Sequence, residues 1–312
     1  MVRNIERVII YLRNDTDIEM ILKNKSIMYL HLDNNISINL MKYLSEVLKK
    51  NTSIKHLYLN YIFTDGKMKY LSDAIKENKN ITNLHLNCDI NLESMKYLSE
   101  IIKHNTTILN LYLDNINAES MKYLSDAIKD NQILSCICLD NDINIDSMKY
   151  LSNAIKINKT IKELWLNSDI NIDSIKYFTE ILKNNIIKGL WFNHDINIDS
   201  MKYLSCVIKD NKTITSLYLK YNINVESMKY FSEAIKYNTT INKIYLDNDI
   251  DINSMILLSE AIKENSSIIY LSLMHYINDE SMKILNDAVK YKNNNNKFIF
   301  KKLYNNIYFS KI

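Results

Sequence analysis

The chain has 312 residues, of which 47% are hydrophobic and 24% charged, a balance that excludes wholesale disorder. Its formal net charge of +3 does not favour a dedicated nucleic-acid-binding protein. Charges interrupt the apolar residues near the N-terminus and no segment approaches transmembrane length, so we expect a cytoplasmic protein that binds neither nucleic acid nor membrane.

A strand–helix pattern repeats along the chain, and its first copy is incomplete. Residues 5–10 have the apolar spacing of a short strand, and residues 18–22 have that of a shortened helix. The sequence therefore predicts a degenerate capping repeat over residues 1–26.

Ten short strands are predicted next, each marked by an apolar-x-apolar triplet. This alternation is typical of a strand with one buried face. Successive triplets lie 27 residues apart, except for two intervals of 26. The triplets begin at Leu30, Leu57, Leu84, Leu111, Ile137, Leu164, Leu190, Leu217, Ile244 and Leu271.

An amphipathic helix is predicted after each triplet, as in residues 147–156. Met148, Leu151 and Ile155 lie on one helical stripe, and Asn144 suits the N-cap. An asparagine follows most of these helices. Because asparagine tolerates the left-handed conformation, we expect it to replace the usual C-terminal glycine there. These asparagines are Asn51, Asn78, Asn105, Asn131, Asn158, Asn211, Asn238 and Asn265.

The last predicted strand is Phe298–Phe300, which falls 27 residues after the triplet that begins at Leu271. Residues 293–312 are expected to form a C-terminal capping strand and tail that cover the final edge of the sheet.

One strand and one helix per repeat cannot enclose a core alone, but stacked copies can. The pattern resembles the leucine-rich repeat family, in its long-helix, ribonuclease-inhibitor-like branch. That resemblance implies an α/β fold, a right-handed solenoid shaped as a horseshoe or arc. The parallel sheet would line its concave face and the α-helices its convex face. Residues 27–292 would then be ten repeats within a single solenoid domain.

The chain departs from the family three residues after the triplet, where Asn or Cys is usual. Asn35 and Asn222 keep the amide, but five other repeats carry a carboxylate, which cannot donate a hydrogen bond unless protonated. These side chains either cap loop N–H groups or turn to solvent, and turn chemistry favours capping with partial exposure. The five are Asp89, Asp142, Asp169, Asp195 and Asp249.

No catalytic, metal-binding or cofactor-binding residues are predicted, so we do not expect an enzyme. The stretch from Asp140 resembles a calcium loop, but its sixth and twelfth positions are Ile145 and Leu151 rather than Gly and Glu. Cys136 and Cys138 lie two apart on one strand, which disfavours a disulfide, and we expect two thiols that reagents can modify.

The helices carry ordered rows of lysine with acidic residues between them, which indicates a solvated surface rather than a nucleic-acid site. One lysine row contains Lys122, Lys149, Lys176 and Lys202, a second contains Lys129, Lys156, Lys183 and Lys209, and the acidic row contains Asp126, Glu180, Glu233 and Glu260.

The middle residue of each triplet is predicted to point away from the helices, onto the concave face. In order these residues are His31, Tyr58, His85, Tyr112, Cys138, Trp165, Trp191, Tyr218, Tyr245 and Ser272. One interpretation is that these rings have no role beyond stabilising neighbouring strands. The chain's two tryptophans lie side by side among them, however, which favours a binding surface.

We therefore predict a non-catalytic scaffold that binds a protein partner, with a basic surface, on an aromatic and acidic face. The alternative is a regulator of a partner enzyme, either an inhibitor or a GTPase-activating protein, as the family resemblance allows. The predicted binding residues are Tyr112, Trp165, Trp191, Tyr218, Tyr245, Asp140 and Asp247.

Overall fold

The structure is a computed structural model that describes residues 26–32, 36–60, 65–87, 90–114, 116–140, 143–167, 172–184, 186–220, 223–274, 277–290 and 299–302. Residue contacts group the chain into two compact units, Met1–Ile161 and Lys162–Ile312. The capping repeat predicted over residues 1–26 lies, but for its last residue, outside the described residues.

In the described part of the first unit, five strands alternate with five helices. The elements are β1 (Tyr29–Leu32), α1 (Ile38–Lys50), β2 (His56–Leu59), α2 (Asp65–Glu77), β3 (Asn83–Leu86), α3 (Leu92–His104), β4 (Asn110–Asp114), α4 (Ala118–Asp130), β5 (Cys136–Asp140) and α5 (Ile145–Ile157). The strands are parallel and pair in chain order from β1 to β5.

In the described part of the second unit, six strands alternate with five helices. The elements are β6 (Glu163–Leu166), α6 (Ile172–Asn184), β7 (Gly189–Phe192), α7 (Ile198–Asp210), β8 (Ser216–Lys220), α8 (Val225–Tyr237), β9 (Lys243–Asp247), α9 (Ile252–Glu264), β10 (Tyr270–Leu273), α10 (Asp279–Lys290) and β11 (Ile299–Lys302). These strands are also parallel and pair in chain order.

The ten predicted strand–helix repeats are confirmed, and both units have the leucine-rich-repeat type of α/β fold. Equivalent residues of consecutive repeats pair, as Leu30 does with Leu57 and Leu217 with Ile244. The final strand departs from the 27-residue spacing, because Leu271 pairs with Phe300 rather than with Phe298. The shift is two residues, and a shift of two preserves which side of the strand each residue faces.

The core lies between the strands and the helices of each unit. The outer residues of the triplets are buried, Leu164 completely so. The predicted apolar stripe of each helix faces these strand residues, and Met148 and Leu151 on α5 are likewise 0% exposed. The predicted N-cap is confirmed, since the Asn144 side chain accepts a hydrogen bond of 2.8 Å from the Ser147 backbone N–H.

Seven of the eight asparagines that follow the helices have extended backbone and not the predicted left-handed conformation. Asn158, for example, has φ −63° and ψ 138°, which is extended backbone open to most residues. The hydrogen bonds of the Asn158 side chain explain instead why an asparagine is found at this position. Oδ1 accepts hydrogen bonds from the N–H groups of Thr160 and Ile161, and Nδ2 donates 2.8 Å bonds to the carbonyls of Ile128 and Asn131 in the preceding repeat.

This arrangement recurs, so buried amides join successive repeats in an asparagine ladder. The Asn78 and Asn265 side chains make the same two kinds of bond to the preceding repeat. This ladder lies after the helices, whereas the family usually places one three residues after the triplets. At that usual place Asp195 and Asp249 are exposed, and the other Asn and Asp residues lie outside the described residues.

Among the residues that the structure describes, none of the helices combines the length and apolar character that crossing a membrane requires.

Candidate protein-binding surface

The middle residues of the triplets form a column along the sheet of each unit, which we call the middle column. In the first unit its rings stack face to face. Ring centroids are 4.0 Å apart for His31 and Tyr58, 4.0 Å for Tyr58 and His85, and 3.8 Å for His85 and Tyr112. The interplanar angles are 3°, 15° and 9°. Each inner ring therefore covers both neighbours with its faces.

This stacking corrects the prediction of an openly exposed aromatic row. Tyr58 is only 5% exposed and His85 only 1%, whereas His31 and Tyr112 are half-buried. Parallel strands bring equivalent residues about 4.8 Å apart, which is close to the stacking distance of planar rings. The stacked rings of this unit thus mainly stabilise the sheet. Of the predicted aromatic binding residues in this unit, Tyr112 remains partly accessible.

An acidic strip lies beside this column, two positions further along each strand. Asp114 and Asp140 are register neighbours on β4 and β5, the first half-buried and the second exposed. Asn60 and Asn87 occupy the equivalent places immediately after β2 and β3. The strip gives the first unit a surface of carboxylate and amide oxygens.

In the second unit the middle column begins with the two tryptophans, both half-buried. Their ring centroids are 4.8 Å apart with an interplanar angle of 21°, so the indoles are stacked. The Trp191 ring lies along its own strand, over Gly189. A Cβ atom at Gly189 would lie 2.1 Å from Cζ3 of Trp191, so only glycine allows this ring position.

Tyr218 follows on β8 but leans the other way along the strand. Its hydroxyl donates a 2.9 Å hydrogen bond to Oδ2 of Asp247, which is on β9. Within the described residues, Trp191 and Tyr218 make no ring contact, although their backbones are register neighbours. The predicted aromatic column is therefore interrupted between β7 and β8.

Beyond the interruption the rings are tilted rather than stacked. The Tyr245 ring centroid lies 6.3 Å from that of Tyr218 and 5.2 Å from that of Tyr270. Burial raises the pKa of the Tyr245 hydroxyl, and the neighbouring Tyr270 raises it further. Asp247 is half-buried, and its register neighbour on β8 is Lys220, so the acidic strip of the first unit does not extend along this strand pair.

Sequence reasoning overlooked the position immediately before each triplet, which faces the same way as the middle residue. In the second unit these residues are Glu163, Gly189, Ser216, Lys243 and Tyr270. Partial burial raises the pKa of the Glu163 carboxyl, and the neighbouring Trp165 indole opposes the shift. Gly189 was the available signal, since the chain has only two glycines.

The cysteines are less accessible than predicted. Neither Cys136 nor Cys138 forms a disulfide, as expected, but they are only 3% and 5% exposed, so native modification is disfavoured. Cys206 on α7 is exposed. Among the described residues, no group of three or more His, Cys, Asp or Glu side chains is placed to hold a metal ion.

The charged side chains on the helix surface largely neutralise one another in ion pairs. Lys129 pairs with Asp126 at 2.7 Å and Lys183 with Glu180 at 2.7 Å, each within one helix. Other pairs join consecutive repeats, as Lys236 does with Glu264 at 3.0 Å. Lysines also lie over tyrosines of the next helix. These contacts agree with the predicted solvated surface.

The fold and the exposed strand surface define a leucine-rich-repeat-type solenoid, and known structures share its fold. A chain of the yeast Rad7 and Elc1 complex matches with a TM-score of 0.52 and 16% identity, over 88% of this chain and 77% of that one. This likeness establishes the fold alone. No protein-family model matches the sequence, and no curated protein is significantly similar to it.

Two further structures match with lower TM-scores. Leiomodin-1 actin-binding site 2 matches at 0.35 with 16% identity, over 55% of this chain and 90% of that one. The Caenorhabditis elegans tropomodulin C-terminal domain matches at 0.33 with 14% identity, over 57% of this chain and 94% of that one.

Proposed function

We propose that the chain is a non-catalytic protein-interaction scaffold, and that its partner binds the sheet surface that faces away from the helices. The observation that carries the proposal is the Trp165–Trp191 stack, held half-buried on regular strands and seated on Gly189. Rigid aromatic side chains that lose little entropy on binding are typical of interface hot spots. The proposed binding residues are those predicted from the sequence: Tyr112, Trp165, Trp191, Tyr218, Tyr245, Asp140 and Asp247.

The helix surface is the weaker candidate, because many of its charges are already paired with one another. A partner would have to displace contacts such as the 2.7 Å pair of Lys129 and Asp126 for little net gain. The strand surface offers an exposed carboxylate at Asp140 and the half-buried indoles of Trp165 and Trp191.

We propose that the surface of the partner is basic, because the acidic strip is negatively charged. Asp114 and Asp140 face the same way on adjacent strands, with amides along the strands before them. Cationic groups of a partner would relieve the repulsion between two neighbouring carboxylates and speed association.

The test is capture of partners from the native cell by the full chain and two double variants. Replacing both Trp165 and Trp191 with Ala should abolish capture, since losing a desolvated aromatic anchor typically costs about 2–4 kcal/mol of binding. Replacing the helix lysines Lys149 and Lys176 with Ala is the matched control and should leave capture nearly intact. Thermal melting of each variant establishes that the repeats remain folded.

The opposite pattern, loss with the lysine variant and retention with the tryptophan variant, would assign binding to the helix surface. A regulatory role on a GTPase has less support. A catalytic arginine would have to be Arg3, Arg7 or Arg13, since the chain has no other, and none of them lies in the described residues.

A cytoplasmic location is proposed from the asparagine ladder. Six ladder asparagines belong to Asn-x-Ser/Thr sequences, and the ladder buries the Nδ2 atom to which a glycan would be attached. They are Asn51, Asn105, Asn158, Asn211, Asn238 and Asn265. A chain glycosylated at these positions during synthesis could not form the ladder.

The matching experiment compares two forms of the chain in a eukaryotic cell, one with and one without an added secretory signal. The cytosolic form should fold and the secreted form should be glycosylated and retained as misfolded protein. Restored folding of the secreted form with a glycosylation inhibitor serves as the control. Efficient secretion of a folded, glycosylated chain would contradict the proposal.

A further inference from the structure

The strand surface of the second unit contains a notch where the aromatic column is interrupted. One face of the Trp191 indole is covered by Trp165 at 4.8 Å. The opposite face, toward β8, makes no ring contact with any described residue, because Trp191 lies over Gly189 while Tyr218 leans toward Asp247. The two side chains therefore diverge along the strand direction.

Ser216 forms the floor of this notch. It is the register neighbour of Gly189, which the Trp191 ring covers, and it faces the same side of the sheet. The equivalent residues in other repeats include Tyr29, His56 and Tyr270, which are ring-bearing. Where the first unit has such rings, Tyr29 and His56 stack at 4.3 Å. At Ser216 the chain supplies no ring to stack on Trp191.

Lys243 bounds the notch on its far side. It pairs in register with Ser216 on the next strand and is exposed. No ion pair involves its ammonium group within the described residues. A flat group standing over Ser216 would therefore lie between the open face of Trp191 and a lysine side chain.

We propose that this notch binds one aromatic side chain of a protein partner. Strands are about 4.8 Å apart, so a ring above Ser216 would stack on Trp191 at the spacing of the tryptophan pair. Its other face would receive the Lys243 ammonium, a cation–π arrangement. The same lysine disfavours a cationic occupant. The inference rests on the proposed function and specifies one residue of the partner.

The first experiment uses N-acetyl-phenylalanine amide as the probe and N-acetyl-leucine amide as its aliphatic counterpart, both titrated into the full chain. Trp165 and Trp191 are the chain's only tryptophans, so tryptophan fluorescence, excited at a wavelength that tyrosine does not absorb, reports on this surface alone. The aromatic probe should bind about three- to tenfold more tightly than the aliphatic one. Equal affinities, or no saturable change with either probe, would overturn the proposal.

Two pairs of variants assign the binding to the notch. Ser216→Tyr should fill the notch from within and abolish probe binding, whereas Ser216→Ala leaves the space open and should retain it. Lys243→Ala should lower the affinity for the aromatic probe several-fold. Lys162→Ala makes the same charge change outside the notch and should leave that affinity unchanged. Equal binding by the Ser216→Tyr variant and the parent chain would show that the probe binds elsewhere.

Partner capture separates this inference from the proposed function. If capture is lost with the double tryptophan variant but survives Ser216→Tyr, the surface is correct and the notch is not used. If capture survives the double tryptophan variant, the proposed surface itself is wrong. Loss of capture with both, and retention with Ser216→Ala, supports the notch.

Discussion

The side-chain amide of Asn158 donates a 2.8 Å hydrogen bond to the backbone oxygen of Asn131, one repeat earlier. Asn131 makes the equivalent bond, of 3.4 Å, to the backbone oxygen of Asn105, so buried amides connect the repeats in series. A solenoid is stabilised mainly by contacts between neighbouring repeats, and these bonds supply a polar part of each interface.

Replacing Asn158 with Asp should therefore destabilise the first unit. An aspartate still accepts from Thr160 and Ile161 but cannot donate to the two carbonyls, and its charge would be buried beside them. We expect a loss of about 2–4 kcal/mol in the free energy of unfolding, measured by urea denaturation. Asn153→Asp is the matched control, because Asn153 is exposed on α5. A similar loss in both variants would show that the ladder does not stabilise the repeats.

The N-cap of α9 should make stability depend on pH. Burial opposes ionisation of Asp251, but hydrogen bonds from Ser254 Oγ–H and from the N–H groups of Ser254 and Asn253 outweigh it and lower the pKa. A lowered folded-state pKa contributes stability that is present above the unfolded pKa, near 4, and is lost as the pH falls through the lowered value.

Asp251→Ala should accordingly cost about 1 kcal/mol at neutral pH and less in acid. Asp251→Asn is the natural comparison, because asparagine caps the equivalent helices, for example Asn224 at α8. It should remain within about 0.5 kcal/mol of the parent at neutral pH and remove this part of the pH dependence. Denaturation at neutral and acidic pH measures both effects. The interpretation fails if the Ala variant shows the parent's acid sensitivity.

The cysteines should differ in reactivity according to their burial. Cys206 is exposed and should react quickly with a thiol reagent in the folded protein. Cys136 and Cys138 should react only under denaturing conditions, because folded packing covers both sulfur atoms. Mass spectrometry of digested protein after brief labelling identifies the modified sites. Rapid native labelling of Cys138 would show that the middle column opens readily.

The sequence by itself was sufficient for the repeat architecture. Leu164 and Met148 were assigned to the core from periodicity alone, and both are buried. The reason is physical, because one buried face per strand and one per helix impose periods of two and 3.6 residues that recur in every repeat. Asn144 was likewise identified as an N-cap, since capping depends on residues adjacent in the chain.

Tertiary structure decided what the side chains do between repeats. The role of Asn158 was predicted from its local backbone and proved to be a bond to the preceding repeat, 27 residues earlier. The open face of Trp191 likewise depends on Gly189 and on the lean of Tyr218 toward Asp247. Periodicity states which residues share a face of the sheet. Whether neighbouring side chains stack, diverge or bury one another is set by packing across strands, which local sequence does not encode.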